Sequence, residues 1–320
     1  MFSHNIEVWI GFNLFVALML TLDLGVFHKK AHTIGFKESI LWTVLWITLA
    51  LTFNAGIYFW MSKEAAVEFF TGYVIEKSLS VDNIFVILMI FNFFRIENKY
   101  QHKVLFWGII GALVMRAVFI FAGVALLERY HWIMYVFGGV LVLSGIKMAL
   151  PQKEMVALDE NIVLKTIKKF VPFTHESEGA NFFVKKDKKR FATPLFATLL
   201  MVETTDLIFA IDSIPAVLAV SSDPFIVYTS NVFAILGLRS LYFAIAGLCV
   251  LFHHLKYGLS LILLFVGAKM LLVDVFKIPT FVALAVILGI LALSILASVL
   301  WPPKKGEAEL ACPLNLTPER

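Results

Sequence analysis

Two stretches of the chain set ionisable side chains inside otherwise apolar sequence: EKSLSVDNIF, Glu76 to Phe85, and VETTDLIFAIDSIP, Val202 to Pro215. They supply Glu76, Asp82, Glu203, Asp206 and Asp212, with Ser80, Asn83 and Ser213 as neutral oxygen donors beside them. Carboxylates backed by amide and hydroxyl oxygens, with no His or Cys among them, suit a hard cation such as Mn2+, Mg2+ or Ca2+ better than Zn2+ or Cu+. The same groups could pass protons, since acids within membrane segments also form relays. A structural alternative is that Arg116, Arg239 and Lys77 neutralise them as internal ion pairs.

Helical geometry limits how these groups converge. At about 100° per residue, Glu76, Ser80 and Asn83 share one stripe, as do Asp206 and Ser213. Asp82 lies about 120° round from Glu76, and Asp212 about 120° from Asp206. One unbroken helix cannot aim its whole set at a point. Two facing helices can, particularly if Gly72 or Pro215 breaks one of them locally.

The elements that carry these residues read as membrane spans. Of 320 residues 60% are hydrophobic and 16% charged, with a mean hydropathy of +0.87; a soluble chain carries about 25% charge. The apolar residues form nine runs, approximately 7–27, 39–60, 69–94, 104–127, 131–150, 193–220, 224–250, 256–274 and 279–300. Runs near 20 residues match a hydrocarbon core of about 30 Å. The N-terminal MFSHNIEVWIGF lacks the basic region of a cleaved signal, so the first run is expected to stay as a helix. Cys249 and Cys312 are too unlike in setting to suggest a disulfide framework or a thiolate metal site.

Lys and Arg set the orientation. Nineteen of the 27 fall in the loops after runs 1, 3, 5 and 7 and in the tail; three fall on the opposite side and five within runs. The positive-inside rule then puts the N-terminus outside and the C-terminus in the cytoplasm. A repeat is also visible. DNIFV at Asp82 aligns with DLIFA at Asp206, Arg116 with Arg239, and SGIKMAL with VGAKMLL, at offsets of 124, 123 and 122. The third and sixth runs enter from opposite sides, so runs 3–5 and 6–8 form an inverted repeat, an arrangement typical of secondary transporters with a midplane site.

The expected fold is thus an all-α polytopic membrane protein of nine transmembrane helices. Residues 1–62 form two peripheral spans, 63–150 the first repeat, 151–192 a basic cytoplasmic loop, 193–275 the inverted repeat, and 276–320 the last span and tail. Within the loop, 158–173 has the pattern of an interfacial amphipathic helix, and 181–194 that of a small hairpin. His28, His32, His253 and His254 read as surface groups, and Trp42, Trp60, Trp107, Trp132 and Trp301 as interfacial belt residues.

EKSLSVDNIFV, VETTDLIFAIDSIPAV and DPFIVYTSNVFAILGLRSLYF resemble the TerC family of integral membrane proteins, and within it the Alx branch. The resemblance runs from LDLGVF (22–27) to KMLLVDVFKIP (269–279), and the KKDKKR loop at 185–190 is more basic than the family pattern. It implies a nine-helix arrangement and a role in metal-ion homeostasis, chiefly manganese efflux; older naming links the family to tellurium resistance. The family's acidic positions correspond to Glu76, Asp82, Glu203, Asp206 and Asp212.

The chain is therefore expected to be a secondary transporter in a bacterial inner membrane, not an enzyme. Mn2+ would be its cargo and no cofactor would be permanently bound. Asp82 and Asp206 would be the central ligands, with Glu76, Glu203 and Asp212 as ligands or proton-exchange groups and Asp23 in support. Arg116 and Arg239 would balance charge. Its partners would be membrane lipids, the divalent cation and protons, with no nucleic acid. An alternative is a membrane partner of the secretion machinery that serves metal delivery or protein assembly. An intramembrane aspartyl protease is disfavoured, because neither SVDNIF nor TTDLIF carries a GLGD-type motif, and no His lies near Ser80 or Ser213 for a hydrolase.

Overall fold

A computed structural model describes residues 6–25, 36–150, 181–186, 189–246 and 255–301. Among them are ten helices and one hairpin. The first five helices are α1 (Ile6–Gly25), α2 (Phe36–Trp60), α3 (Lys63–Phe93), α4 (Asn98–Arg129) and α5 (Ile133–Ala149). After the hairpin follow α6 (Pro194–Leu218), α7 (Pro224–Leu236), α8 (Leu238–Ala246), α9 (Leu255–Leu271) and α10 (Thr280–Leu300). Helix thus occupies each apolar run.

The ends of the site-bearing helices have local causes. Ser62 caps α3 by accepting from the Ala65 amide at 3.0 Å, and Asp223 caps α7 by accepting from the Phe225 amide at 2.8 Å. Pro194 and Pro224 stand at helix starts, where a missing N–H goes unnoticed. Inside the helices the hydroxyls of Thr71, Ser78, Ser80, Thr204 and Thr205 donate to the carbonyl four residues back, at 2.6–2.7 Å. This is how a hydroxyl is satisfied where water is scarce.

The polarity of the helices is the reverse of that in a soluble protein. On α4, Arg116, Gly108 and Ala112 face inward while Val114, Val118 and Phe121 are exposed. Large apolar side chains are likewise exposed along α1 and α10, such as Leu14, Leu18 and Leu293. Four of the described helices (α2, α4, α6 and α10) are long and apolar enough to cross a membrane, or five if the bent pair α7–α8 counts as one span. The apolar parts of α1 and α5 are shorter, and α3 carries Glu76, Lys77 and Asp82 within its apolar stretch.

The break falls elsewhere than expected. Helices α3 and α6 run continuously through Gly72 and Pro215. Gly72 serves close packing instead: a Cβ there would stand 2.9 Å from Ser230 Oγ and 3.0 Å from Val217 Cγ1. Pro215 lies in the final turn of α6, where its ring disturbs little helix beyond it. The run 224–250 is the one that breaks, bending by 43° between α7 and α8 at Gly237. There Lys77 Nζ donates to the Ala234 carbonyl at 3.1 Å, supplying a cation to the carbonyl end of α7. A Cβ on Gly237 would lie 2.8 Å from that Nζ and 3.1 Å from Trp46 Cβ, so a side chain there would push the ammonium off the Ala234 carbonyl and crowd Trp46.

Helix α3 packs on α7, and α4 on α6, while α3 and α6 also touch each other. Helices α5 and α9 pack antiparallel along small residues: a Cβ on Gly138 would meet the Gly267 carbonyl at 3.1 Å, and one on Gly145 the Ser260 carbonyl at 3.0 Å. Between these contacts Leu141 and Leu263 are fully buried. The hairpin expected over 181–194 forms from β1 (Phe183–Lys186) and β2 (Lys189–Ala192), antiparallel with Phe183 opposite Ala192. Thr193 fastens it to the start of α6, its Oγ1 donating to the Asn181 carbonyl at 2.7 Å. The amphipathic pattern at 158–173, the four histidines named above and both cysteines lie outside the described residues.

Candidate functional site

Two of the acidic residues, Glu76 and Asp206, gather around a cation supplied by the chain itself. Arg116 on α4 is 2% exposed, and its guanidinium reaches three other helices. Nη1 donates to Glu76 Oε1 on α3, to Ser213 Oγ on α6 at 3.2 Å and to Asn231 Oδ1 on α7 at 3.2 Å. Nη2 donates to Asp206 Oδ1 at 3.1 Å and Nε to Asp206 Oδ2 at 3.5 Å, a forked contact on α6. Two carboxyl groups share one guanidinium in a buried place, so one of them lacks a counter-charge of its own. Glu76 is fully buried, and its second oxygen has no hydrogen-bond partner among the described residues. A buried carboxylate oxygen left in this way is costly unless something else takes it up.

Asp82 and Asp212 are in a different place. They line a small cavity between α3, α5, α6 and α9, together with Asn83, Ser213 and Met148. The space open to the centre of a water-sized sphere there is ≈ 10 Å³, room for about one water or one ion. Asn83 is buried and its Oδ1 has no partner among the described residues. Asp212 accepts from Ser144 Oγ of α5 at 2.5 Å. Asp82 makes no hydrogen bond or ion pair among the described residues; Lys256 at the start of α9 is the charge that acts on it. Ser213 belongs to both places, lining the cavity and accepting from Arg116.

The five carboxylates therefore form two groups and an outlier. Glu76 and Asp206 meet on Arg116, and Asp82 and Asp212 meet at the cavity. Glu203 stands against Gly111 of α4, in space that only the missing Cβ leaves open. Among the described residues no three His, Cys, Asp or Glu side chains are grouped so as to hold a metal ion by themselves. Ser80 spends its proton on the Glu76 carbonyl at 2.7 Å. Arg239 is buried on α8, and Asp23 lies near the end of α1. Internal ion pairing holds for Arg116, whereas Lys77 meets a carbonyl, with no carboxylate within salt-bridge distance among the described residues.

Three contributors were missed in the sequence. Asn231, the one amide within the α7 stretch, could have been found as a polar residue in an apolar helix. Ser144 and Met148, four apart on α5, carry no such signal, because a lone Ser or Met in an apolar run is ordinary.

The description of the integral membrane protein TerC family matches residues 61–306, which hold every residue of both groups. The chain belongs to the TerC family. This TerC chain is 51% identical over 293 residues to a membrane protein, STKORF319, of Myxococcus xanthus, covering 92% of each. It is 43% identical over 297 residues to Alx of Salmonella typhi, covering 90% of this chain and 92% of that one. The Alx of Escherichia coli K12 is similar to the same degree, 43% over 296 residues. Both Alx proteins are provisionally named membrane-bound redox modulators. No solved structure gives a significant match. The chain is an integral, multi-pass membrane protein.

Proposed function

We propose that this TerC-family chain is a secondary transporter that exports a divalent cation, foremost Mn2+, from the cytoplasm across a bacterial inner membrane. The observation that carries this is the cavity in which Asp82 of α3 faces Asp212 of α6, with Asn83 and Ser213 beside them. Two carboxylates match the charge of one divalent ion, and amide and hydroxyl oxygens complete a hard donor set. Charges placed in apolar helices at about +2.5 to +3.5 kcal/mol each are retained where they do work on an ion.

The neighbouring Arg116 group acts as the internal counter-charge. It holds Glu76 and Asp206, and through them α3 and α6, at a defined separation. When a cation enters through Ser213, which touches both places, those carboxylates can exchange guanidinium for metal. Proton uptake by the acids then favours release on the far side. Moving a redox-active cation would also give a membrane protein influence over redox state, in keeping with the name that the Alx proteins bear.

Nine spans with the N-terminus outside provide the frame. The inverted repeat is supported by the packing of α5 on α9. Gly138 and Gly145 correspond, at the offset of 122, to Ser260 and Gly267. Gly138 meets Gly267 and Gly145 meets Ser260, the reciprocal pairing that a two-fold axis between the helices demands. The packing of α3 on α7 and of α4 on α6 is the pairing that the same axis would produce. Rocking one repeat against the other would open the carboxylates to each side in turn.

Purified protein in liposomes tests this reading. Protein-dependent Mn2+ flux, competed by Mg2+ or Ca2+ according to their fit, is the expected result; a folded protein that moves no divalent cation under any imposed gradient contradicts it.

A further inference from the structure

The cavity is not made of oxygen alone. Met148 of α5 contributes to its lining, beside Asp82, Asn83, Asp212 and Ser213. The helix stripe explains why. Ser144 and Met148 are four residues apart, so they project from the same face of α5. Ser144 reaches Asp212 at 2.5 Å, which fixes that face toward the cavity and carries Met148 with it. The adjoining stripe of α5, with Gly138, Leu141 and Gly145, packs on α9, which itself contributes Leu263 to the cavity lining. Met148 is partly buried, with three rotatable bonds that let its sulfur approach an ion. Its counterpart in the second repeat, Met270 at the offset of 122, is 2% exposed and packed into the core away from the cavity.

We propose that the Met148 thioether is the selectivity residue of this cavity, favouring transition-series divalent cations over Mg2+ and Ca2+. The proposal deepens the transport reading above and rests on it for the cavity as an ion site. Mg2+ and Ca2+ are bound almost wholly by oxygen, and Mg2+ sheds its waters reluctantly. A thioether offers them no useful ligand and occupies the place of a water they would keep. Mn2+, a transition-series ion that sheds water more readily than Mg2+, tolerates the sulfur where Mg2+ and Ca2+ do not, and a softer ion such as Cd2+ gains from it. Two carboxylates and two neutral oxygens alone would not distinguish Mn2+ from Mg2+; the sulfur adds what the oxygens lack. The ordinary role of methionine, filling an irregular gap, predicts no change in ion preference when another apolar side chain of similar volume replaces it.

The test compares wild type with Met148→Leu, which keeps volume and removes sulfur, and Met148→Cys, which keeps sulfur. In liposomes, Mn2+ flux is measured against Mg2+, Ca2+ and Cd2+ as competitors. Met148→Leu is expected to weaken Cd2+ competition about tenfold and to strengthen competition by Mg2+ relative to Mn2+. Met148→Cys is expected to keep the Cd2+ preference. Unchanged competition by all three ions in Met148→Leu overturns the proposal. Equilibrium Cd2+ binding to the purified full chain provides the second arm and does not require transport. There Met148→Leu and Asp82→Asn are both expected to weaken binding. Loss in Asp82→Asn but not in Met148→Leu overturns the role of Met148 and leaves the cavity standing. Retention in both removes the cavity itself as an ion site, and the selectivity role with it.

Discussion

Arg116 Nη2 stands 3.1 Å from Asp206 Oδ1 on α6, while Nη1 of the same guanidinium reaches Glu76 on α3. One side chain thereby ties together the two acid-bearing helices, and it does so from a fourth element, with Asn231 of α7 completing its contacts at 3.2 Å. The acid-bearing helices could not lie this close with their carboxylates unopposed. Arg116 is thus a condition of the fold as well as a neighbour, through Ser213, of the cavity lined by Asp82 and Asp212.

Arg116→Met is expected to lower stability in detergent by about 3–5 kcal/mol, because it strands two buried carboxylates. Thermal unfolding would register this as a clear fall in Tm. Adding Glu76→Gln and Asp206→Asn to the same chain should recover much of the loss. Unchanged stability in Arg116→Met would show that the ion pairs bear no weight.

The reciprocal packing of α5 and α9 makes a symmetric prediction. Gly145→Val pushes a side chain into the Ser260 carbonyl, and Gly267→Val pushes one into Gly138. Each should destabilise by about 1–3 kcal/mol through overpacking, and by similar amounts. A large difference between the two in denaturant or thermal unfolding would speak against a two-fold axis between these helices.

At the break, Lys77→Met removes the ammonium that Ala234 accepts, and Gly237→Ala crowds the same nitrogen. Losing a charged hydrogen bond of this kind is worth about 1.5–3 kcal/mol. Hydrogen exchange over 232–241 should quicken in both variants, with other helices little affected. Exchange at the wild-type rate would mean that the bend is held by other contacts.

Much of this architecture is legible in the sequence and some is not, for physical reasons. Apolar runs mark helices because their length and blockiness are local properties, and the charge and residue types of Glu76, Asp82 and Asp206 mark them as unusual wherever they pack. The hairpin is legible from two short apolar segments, FFV and FA, flanking the polar KKDKKR run. Which acids meet which partner is another matter, since it depends on how α3, α4, α6 and α7 rotate against one another. Asp82 and Asp206, matched in the repeat, join different groups, and the five acids do not converge. The break at Gly237 was hidden for a related reason: GLR in an apolar run looks no weaker than the Gly72 and Pro215 sites, and only Lys77 and Trp46 closing on it reveal why glycine stands there.

The orientation derived from the basic loops is open to direct labelling. In a chain carrying Cys249→Ala and Cys312→Ala, single cysteines at Glu97 and Trp132 sit in the turns after α3 and before α5. A membrane-impermeant maleimide applied to intact cells should label Trp132→Cys and leave Glu97→Cys untouched. The reverse pattern would invert the whole topology.

The central claim, a divalent cation passing between Asp82 and Asp212, is tested most directly by Mn2+ flux in liposomes containing wild type, Asp82→Asn and Asp212→Asn. Asparagine keeps the shape of the cavity and removes one charge at a time. The account predicts wild-type flux that falls by at least about tenfold in each variant, with each variant as well folded as the parent. Wild-type rates in both would place the ion path outside this cavity and contradict the account.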